Sequence, residues 1–479
     1  MKKQVILIVA SAFAAAAQPM PSQQQQSLAG VVRLNKAPVS HDVVQVKLPR
    51  PVEKQLSNGL KLLVVESHRV PQITLQIRMP GGDLRDPAGM PGVSDATAAL
   101  IRLGTKTRSS KDLAETLAEL SASVGFSSSQ DSSTIFVNAL TETFDAALDV
   151  LTDVLMNPTF PQDELDKWKT RQLASLQQMK ANPAALGNDV LYKAMYGADA
   201  RQYTHPTAES LAKITRDDVI RFYKTYYVPS GEWAGISGDI TPAEAVAKLN
   251  KVLGAWQGGP LKRVELPLPG QIAEKKVYLV PRPNSVQTSL IIANHAIDRT
   301  NPDYIECLVM NRVLGSGGTS RLFRVIREEK GYTYGINSGF QATRLLNHFL
   351  VQTSVRTEVT EPALTDTLKQ LSEIREKPVP ADELGDAKNS IVSSFVLGLE
   401  SSAQILARWM DQRIYGLPED YWDTYSQKVM AVTPEGVMRV AKKYVPVDNA
   451  QIIAVGDPAK IAEALKKFGP VEESPVDVK

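Results

Sequence analysis

Pro161-Gln162-Asp163-Glu164-Leu165-Asp166-Lys167-Trp168-Lys169 recurs, 219 residues later, as Pro380-Ala381-Asp382-Glu383-Leu384-Gly385-Asp386-Ala387-Lys388. The repeat extends in both directions. Thr141-Glu142 precedes the first copy as Thr360-Glu361 precedes the second. Thr215, Val219, Arg221 and Lys224 match Thr433, Val437, Arg439 and Lys442 at an offset of 218. Tyr227-Val228-Pro229 matches Tyr444-Val445-Pro446 at 217, and Gly238-Asp239 matches Gly456-Asp457 at 218. Correspondences clustered so tightly around one offset imply a duplicated unit of about 220 residues, since self-similarity at a fixed spacing marks repeated architecture.

Each half reads as α+β. Lys61 to Glu66 and Gln72 to Met79 are β-rich and partly alternating, with the turn-prone Ser67 to Pro71 between them. A helical spacing begins at Val93 (Val93, Ala96, Leu100, Leu103), Ser109 is placed to cap the next helix, and Ser133 to Leu140 reads as a strand. The fold expected is two homologous domains, each an antiparallel-rich sheet with helices packed on one face. The expected boundaries are 50–259 for the first domain, a Pro-rich linker at 260–272, and 273–465 for the second. An extension at 18–49 and a tail at 466–479 flank them, and Gln18 to Ser40 and Gly469 to Lys479 look like loose ends.

Composition narrows the function. The 479 residues are 43% hydrophobic and 22% charged, ordinary for a globular protein. A net charge of +2 gives no global field to recruit nucleic acid or acidic membranes. The single cysteine, Cys307, excludes an intrachain disulfide and a cysteine-based zinc cluster. The five histidines, His41, His68, His205, His295 and His348, are widely spaced along the chain. Met1-Lys2-Lys3, the apolar stretch from Val5 and Ala15-Ala16-Ala17 read as a secretory signal peptide ending near Ala17, at residues 1–17. No later apolar run reaches membrane length, so an exported protein with no membrane span is expected, periplasmic if the cell is Gram-negative.

Gly315-Ser316-Gly317-Gly318 precedes an amphipathic helix running from Thr319 to Lys330. No Lys-Ser/Thr follows these glycines, so a phosphate cradle is excluded. Gly315, Gly317 and Gly318 are candidates for close approach of a peptide backbone, the alternative being a flexible turn. Gly331 stands where a C-terminal cap belongs, and Tyr332, Tyr334 and Ile336 then alternate as on one strand face.

Family-level motifs lie in order along the chain. Ser57-Asn58-Gly59-Leu60, Gly104-Thr105-Lys106-Thr107-Arg108-Ser109, Asn157-Pro158-Thr159-Phe160, His205-Pro206 and Ile214-Thr215-Arg216-Asp217-Asp218 are the first set. Ser320-Arg321-Leu322-Phe323 and Arg327-Glu328-Glu329-Lys330-Gly331-Tyr332-Thr333-Tyr334 follow. Together, over roughly residues 50–460, they resemble the insulinase/pitrilysin family, in its mitochondrial-processing-peptidase-like branch. The resemblance implies two homologous domains per chain, with paired chains, or fused halves, enclosing a chamber for zinc-dependent cleavage of extended peptides.

Active members of that family carry H-x-x-E-H, where two histidines at i and i+4 hold zinc and the glutamate is the general base. Aligned on Gly92 and Gly104-Thr105, this chain has Asp95 and Ala99 at the histidine positions and Ala98 at the base. The third-ligand region carries Trp168 and Ser175. Methyl groups neither ligate a metal nor accept a proton, so no cofactor is expected in this chain. What the resemblance retains is Arg327 and Tyr334, a pair that in the family contacts the substrate carbonyl. The implied function is that of a non-zinc subunit supplying this pair, in trans, to a zinc-bearing homologous partner that cleaves peptides. The alternative is an inactive scaffold of the same fold that binds peptides or proteins.

Overall fold

The computed structural model describes residues 47–202, 205–229 and 233–474. The expected signal peptide lies outside them. The first half opens with β1 (Val52–Gln55), β2 (Lys61–Glu66) and β3 (Gln72–Met79), followed by α1 (Val93–Leu100) and α2 (Ser110–Glu119). Then come β4 (Ser123–Ser128), β5 (Ser133–Leu140), α3 (Phe144–Met156), α4 (Gln162–Ala181) and α5 (Pro183–Tyr196). α6 (Ala208–Lys213), α7 (Arg216–Tyr226), β6 (Trp233–Gly238) and α8 (Pro242–Leu253) complete it.

The second half runs β7 (Lys276–Pro281), β8 (Gln287–His295), α9 (Tyr304–Leu314), β9 (Thr333–Ala342) and β10 (Asn347–Arg356). It continues with α10 (Thr360–Glu376), α11 (Ala381–Leu397), α12 (Ser402–Tyr415) and α13 (Tyr421–Met430). α14 (Pro434–Tyr444), β11 (Gln451–Gly456), α15 (Pro458–Leu465) and β12 (Val471–Glu473) close it. The expected linker, 260–272, lies in a stretch with neither helix nor strand.

The duplication is written in the topology. One sheet has the order β1-β2-β6-β3-β5-β4 and the other β12-β7-β11-β8-β10-β9. Five strands correspond pairwise, including the single parallel contact among those five, β2 with β6 and β7 with β11. Local signals recur at matching places. Pro161 and Pro380 occupy the N-cap positions of α4 and α11. The Thr215 and Thr433 hydroxyls accept backbone N–H groups at the starts of α7 and α14, satisfying donors the helix leaves unpaired. β6 and β11 both end in glycine. At Gly238, with φ +123°, any Cβ would overlap the Gln72 carbonyl oxygen, so the residue must be glycine. Only the outer strands differ: β1 joins antiparallel from the N-terminal side, β12 parallel from the C-terminal side. The expectation of a loose tail is thereby corrected for Val471–Glu473, which pair with β7.

The two halves also exchange a helix. On one face of the first sheet, Leu62, Val64, Ile73, Leu75 and Ile236 pack with α1, α3 and α8. On the other, Leu63 and Val65 join Leu406, Trp409 and Met410 of α12, a helix from the second half. Gly235 of β6 makes room for this helix, since a Cβ there would meet Leu406 Cδ1 at 2.8 Å. Reciprocally, Leu186, Val190 and Leu191 of α5 cover Ile291, Ala293, Ile453 and Val455 of the second sheet. The helices of each half do pack on one face of its sheet, as expected, and the opposite face is closed by the other half. This is why β8 is buried along both faces from Thr288 onward and reads as a continuous apolar run.

Candidate functional site

The helix aligned with the zinc motif is α1. Its entry is set by Gly92, in the left-handed region, where a Cβ would sit 2.8 Å from Pro206. The capping carboxylate is that of Asp86, which accepts the Gly92 and Ser94 N–H groups at 2.6 and 2.7 Å. Sequence reading missed it because the cap lies outside the helix, six residues before Gly92. Asp95 lies in the first turn as expected. Burial, with a smaller contribution from Asp83, pushes its carboxyl up to about 7. Ala98 is buried and Ala99 packs against the first core.

α4 packs against α1 and turns Leu165 and Trp168 inward, while Ser175 is exposed. These residues do not fit zinc. They present a lone carboxylate, Asp95, and a methyl group, Ala99, where two imidazoles belong, a methyl group, Ala98, at the base, and indole and hydroxyl where a carboxylate belongs. Among the described residues no three His, Cys, Asp or Glu side chains form a metal-holding group.

The histidines among the described residues are engaged elsewhere. His68 lies between Asp239 (2.6 Å) and Glu66 (2.8 Å), and these two carboxylates raise its pKa. His205 is bonded to Asp189 at 2.9 Å, which raises its pKa too. The wide spacing of His295 and His348 in sequence is misleading, because they are cross-strand partners on β8 and β10. Both are buried. His295 bonds the Met195 carbonyl at 2.7 Å and His348 the Tyr196 hydroxyl at 3.0 Å, so both are tied to the exchanged helix α5.

Arg327 and Tyr334 do meet. The helix preceding β9 winds as a π-helix over Phe323–Glu329, a local widening often found at functional sites. Gly331, at φ +62°, closes it: its N–H bonds the Arg327 carbonyl, and Tyr332 N–H bonds that of Ile326. The Arg327 guanidinium then lies 4.4 Å from the Phe323 ring and 5.1 Å from the Tyr334 ring. Phe323 is a third member that its i−4 position could have revealed.

Tyr334 and Ile336 do not share a strand face as alternation predicts. Thr353 pairs with Ile336 but Val355 with Thr333, so Tyr334 and Gly335 together oppose Ser354 in a β-bulge. Thr333 Oγ1 lies 2.7 Å from the Ser354 carbonyl and accepts Gly335 N–H, latching the bulge. An extra residue re-aims the side chain, and Tyr334 stands 90% exposed.

The three loop glycines differ. At Gly315 a Cβ would overlap the Ser338 hydroxyl of β9, and its carbonyl accepts Ser338 N–H. The close approach there is made by this chain's own strand. Gly317 takes φ +109° beside Arg312, while Gly318 has only Phe323 nearby, at 3.9 Å.

Comparison with known proteins agrees with this arrangement. Residues 61–207 match the family described as insulinase (peptidase family M16), and 213–391 match the peptidase M16 inactive domain. The "Uncharacterized zinc protease YmxG" of Bacillus subtilis is 24% identical over 73% of this chain and 85% of that protein. The "Non-peptidase homolog YmxG" of Helicobacter pylori is 25% identical over 84% of this chain and 94% of its own length. A crystal structure titled as a peptidase M16 inactive domain from Pseudomonas fluorescens superposes with a TM-score of 0.79 at 27% identity, covering 85% of this chain and 98% of that one. With the repeat, the matching sheets and the vacated ligand positions, these similarities give one conclusion: the chain belongs to the insulinase (M16) peptidase family, as an inactive member without the catalytic zinc site.

Proposed function

We propose that this chain is the exported, non-zinc subunit of a two-chain peptidase, presenting Arg327 and Tyr334 to a peptide held at a homologous partner that carries H-x-x-E-H. One observation carries the reading. Tyr334 projects from its bulge into solvent against Arg327, whose guanidinium makes only ring contacts among the described residues. An always-charged fork and a phenol, both with free donors, suit a carbonyl oxygen on which negative charge develops. The partner's zinc would supply the hydrolytic chemistry. In this reading the exposed Gly317 and Gly318 border the path of the peptide, while Gly315 packs on this chain's own strand.

Co-purification from the native host, with metal analysis of the complex and of this chain alone, tests it. Zinc and peptidase activity should reside in the complex and be absent from the separated chain. The name of the Helicobacter pylori relative supports the second reading, a scaffold that holds peptides without chemistry. Recovery of this chain without any H-x-x-E-H partner would favour the scaffold. Export is tested by N-terminal sequencing, with a new terminus expected near Gln18.

A further inference from the structure

We propose that the cleft between α9, α11 and β9 binds an amphipathic carboxylate, a carboxyl group carried on an apolar or aromatic body. The cleft has a volume of about 570 Å³. By the repeat, α9 and α11 are the second half's counterparts of α1 and α4, so this is the twin of the vacated zinc cleft. Where the first half offers methyl groups, the second offers cations and aromatic rings: Arg299, Arg312, Arg408, Phe395, Trp422 and Tyr425.

Among the described residues the three guanidiniums make no ion pair, and each of their hydrogen bonds goes to a neutral acceptor. Arg299 donates to the Tyr421 hydroxyl at 2.8 Å, Arg312 to the Ser316 carbonyl at 2.8 Å and to the Ser390 hydroxyl, and Arg408 weakly to the Phe395 carbonyl at 3.4 Å. Arg408 Nη1 is buried with no acceptor among the described residues. Asp411 acts on Arg299 and Arg408 through space, but burial pushes its own carboxyl up, weakening it as a counterion. Three half-buried cations beside one such acid leave a net positive site, and a partly desolvated cation without a carboxylate partner favours a bound anion. Guanidinium forks pair bidentately with oxyanions such as carboxylates and phosphates. The rest of the lining favours an apolar body. The Arg408 guanidinium lies 4.6 Å from the Phe395 ring and 5.8 Å from Trp422, so cationic and aromatic surfaces are contiguous.

A free organic acid and a peptide C-terminus share this chemistry. The test is titration calorimetry on the full mature chain with N-acetylphenylalanine, a pentapeptide Ala-Ala-Ala-Ala-Phe with a free carboxyl end, the amides of both, and inorganic phosphate. The two acids should bind at one site, with the amides and phosphate at least tenfold weaker. Tighter binding of the pentapeptide identifies a peptide terminus as the source; equal or tighter binding of N-acetylphenylalanine identifies a small acid. Arg408→Gln should weaken the acids tenfold or more with thermal stability retained. Arg408→Lys, which keeps charge but loses the fork, provides a second variant if the first is unstable, and should also weaken them. Equal affinity for acid and amide, absence of binding by either acid, or unchanged affinity in a folded Arg408 variant would overturn the proposal.

Discussion

Tyr334 and Ile336 lie two residues apart on β9, yet Tyr334 is 90% exposed and Ile336 only 5%. A regular strand would place them on one face. The bulge opposite Ser354 separates them, sending Ile336 to the core and Tyr334 outward to Arg327. Outward presentation of this pair by a chain that has lost its own zinc ligands is the central structural argument for a role in trans.

The vacated metal site makes the first prediction. The isolated chain should hold no stoichiometric zinc and hydrolyse no peptide. Installing Asp95→His, Ala98→Glu and Ala99→His should still fail unless a carboxylate is also introduced near Ser175, because three ligands are needed. Elemental analysis and a peptidase assay check both statements; one tightly held zinc in the unmodified chain would refute them.

Asp95 supplies a pH-dependent prediction. Its carboxyl is raised to about 7 by burial, whereas in the unfolded chain it titrates near 4. The folded state therefore binds the proton more tightly, and the contribution to stability is present below about pH 4 and lost as pH rises through about 7. Asp95→Asn removes the cost of a buried charge. It should stabilise the fold at pH 8 by on the order of 2–4 kcal/mol and by little at pH 4. Chemical denaturation at the two pH values measures it.

His348 has the opposite sign. Burial, with a smaller effect of His295, pushes it down to about 4. The neutral form is required in the folded state, so the associated stability is present above about pH 6.5 and drains as pH falls toward 4. His348→Phe forfeits the Tyr196 bond at every pH but should flatten this dependence by about 3 kcal/mol between pH 7 and 4. Calorimetric melting of both proteins across that range shows whether the slope changes.

The helix exchange is tested at Gly235. Gly235→Val should destabilise by about 1–3 kcal/mol through overpacking against Leu406 and Met410. Leu406→Ala alone should destabilise by about 2–5 kcal/mol. Combined, the loss should be smaller than the sum, since the truncated leucine makes room for the valine. Strict additivity in urea unfolding would mean that α12 does not lie on β6.

Much of this fold was legible because its signals are local. Pro161 and Pro380 before α4 and α11, Ser109 before α2, and the repeated Gly238 and Gly456 can each be read within a few residues, and the offset between them revealed the duplication. The degenerate site was legible for the same reason, since Asp95, Ala98 and Ala99 occupy fixed spacings on one helix. What escaped depends on distant pairing. An apolar face on α5 or α12 does not say which sheet it covers, so the exchange was invisible. The His295–His348 pairing follows from strand register, and the exposure of Tyr334 from a bulge whose partner is twenty residues away. Asp86 was missed because a cap from outside the helix has no sequence period.

The Arg327 and Tyr334 side chains in the assembled complex test the role in trans most directly. Arg327→Ala and Tyr334→Phe should each lower kcat with modest change in KM, corresponding to about 2–4 kcal/mol for a donor acting mainly in the transition state. Assembly, followed by sizing, should be unaffected in both, as neither side chain is proposed to hold the subunits together. Full peptidase activity of the complex with both residues replaced would contradict the account.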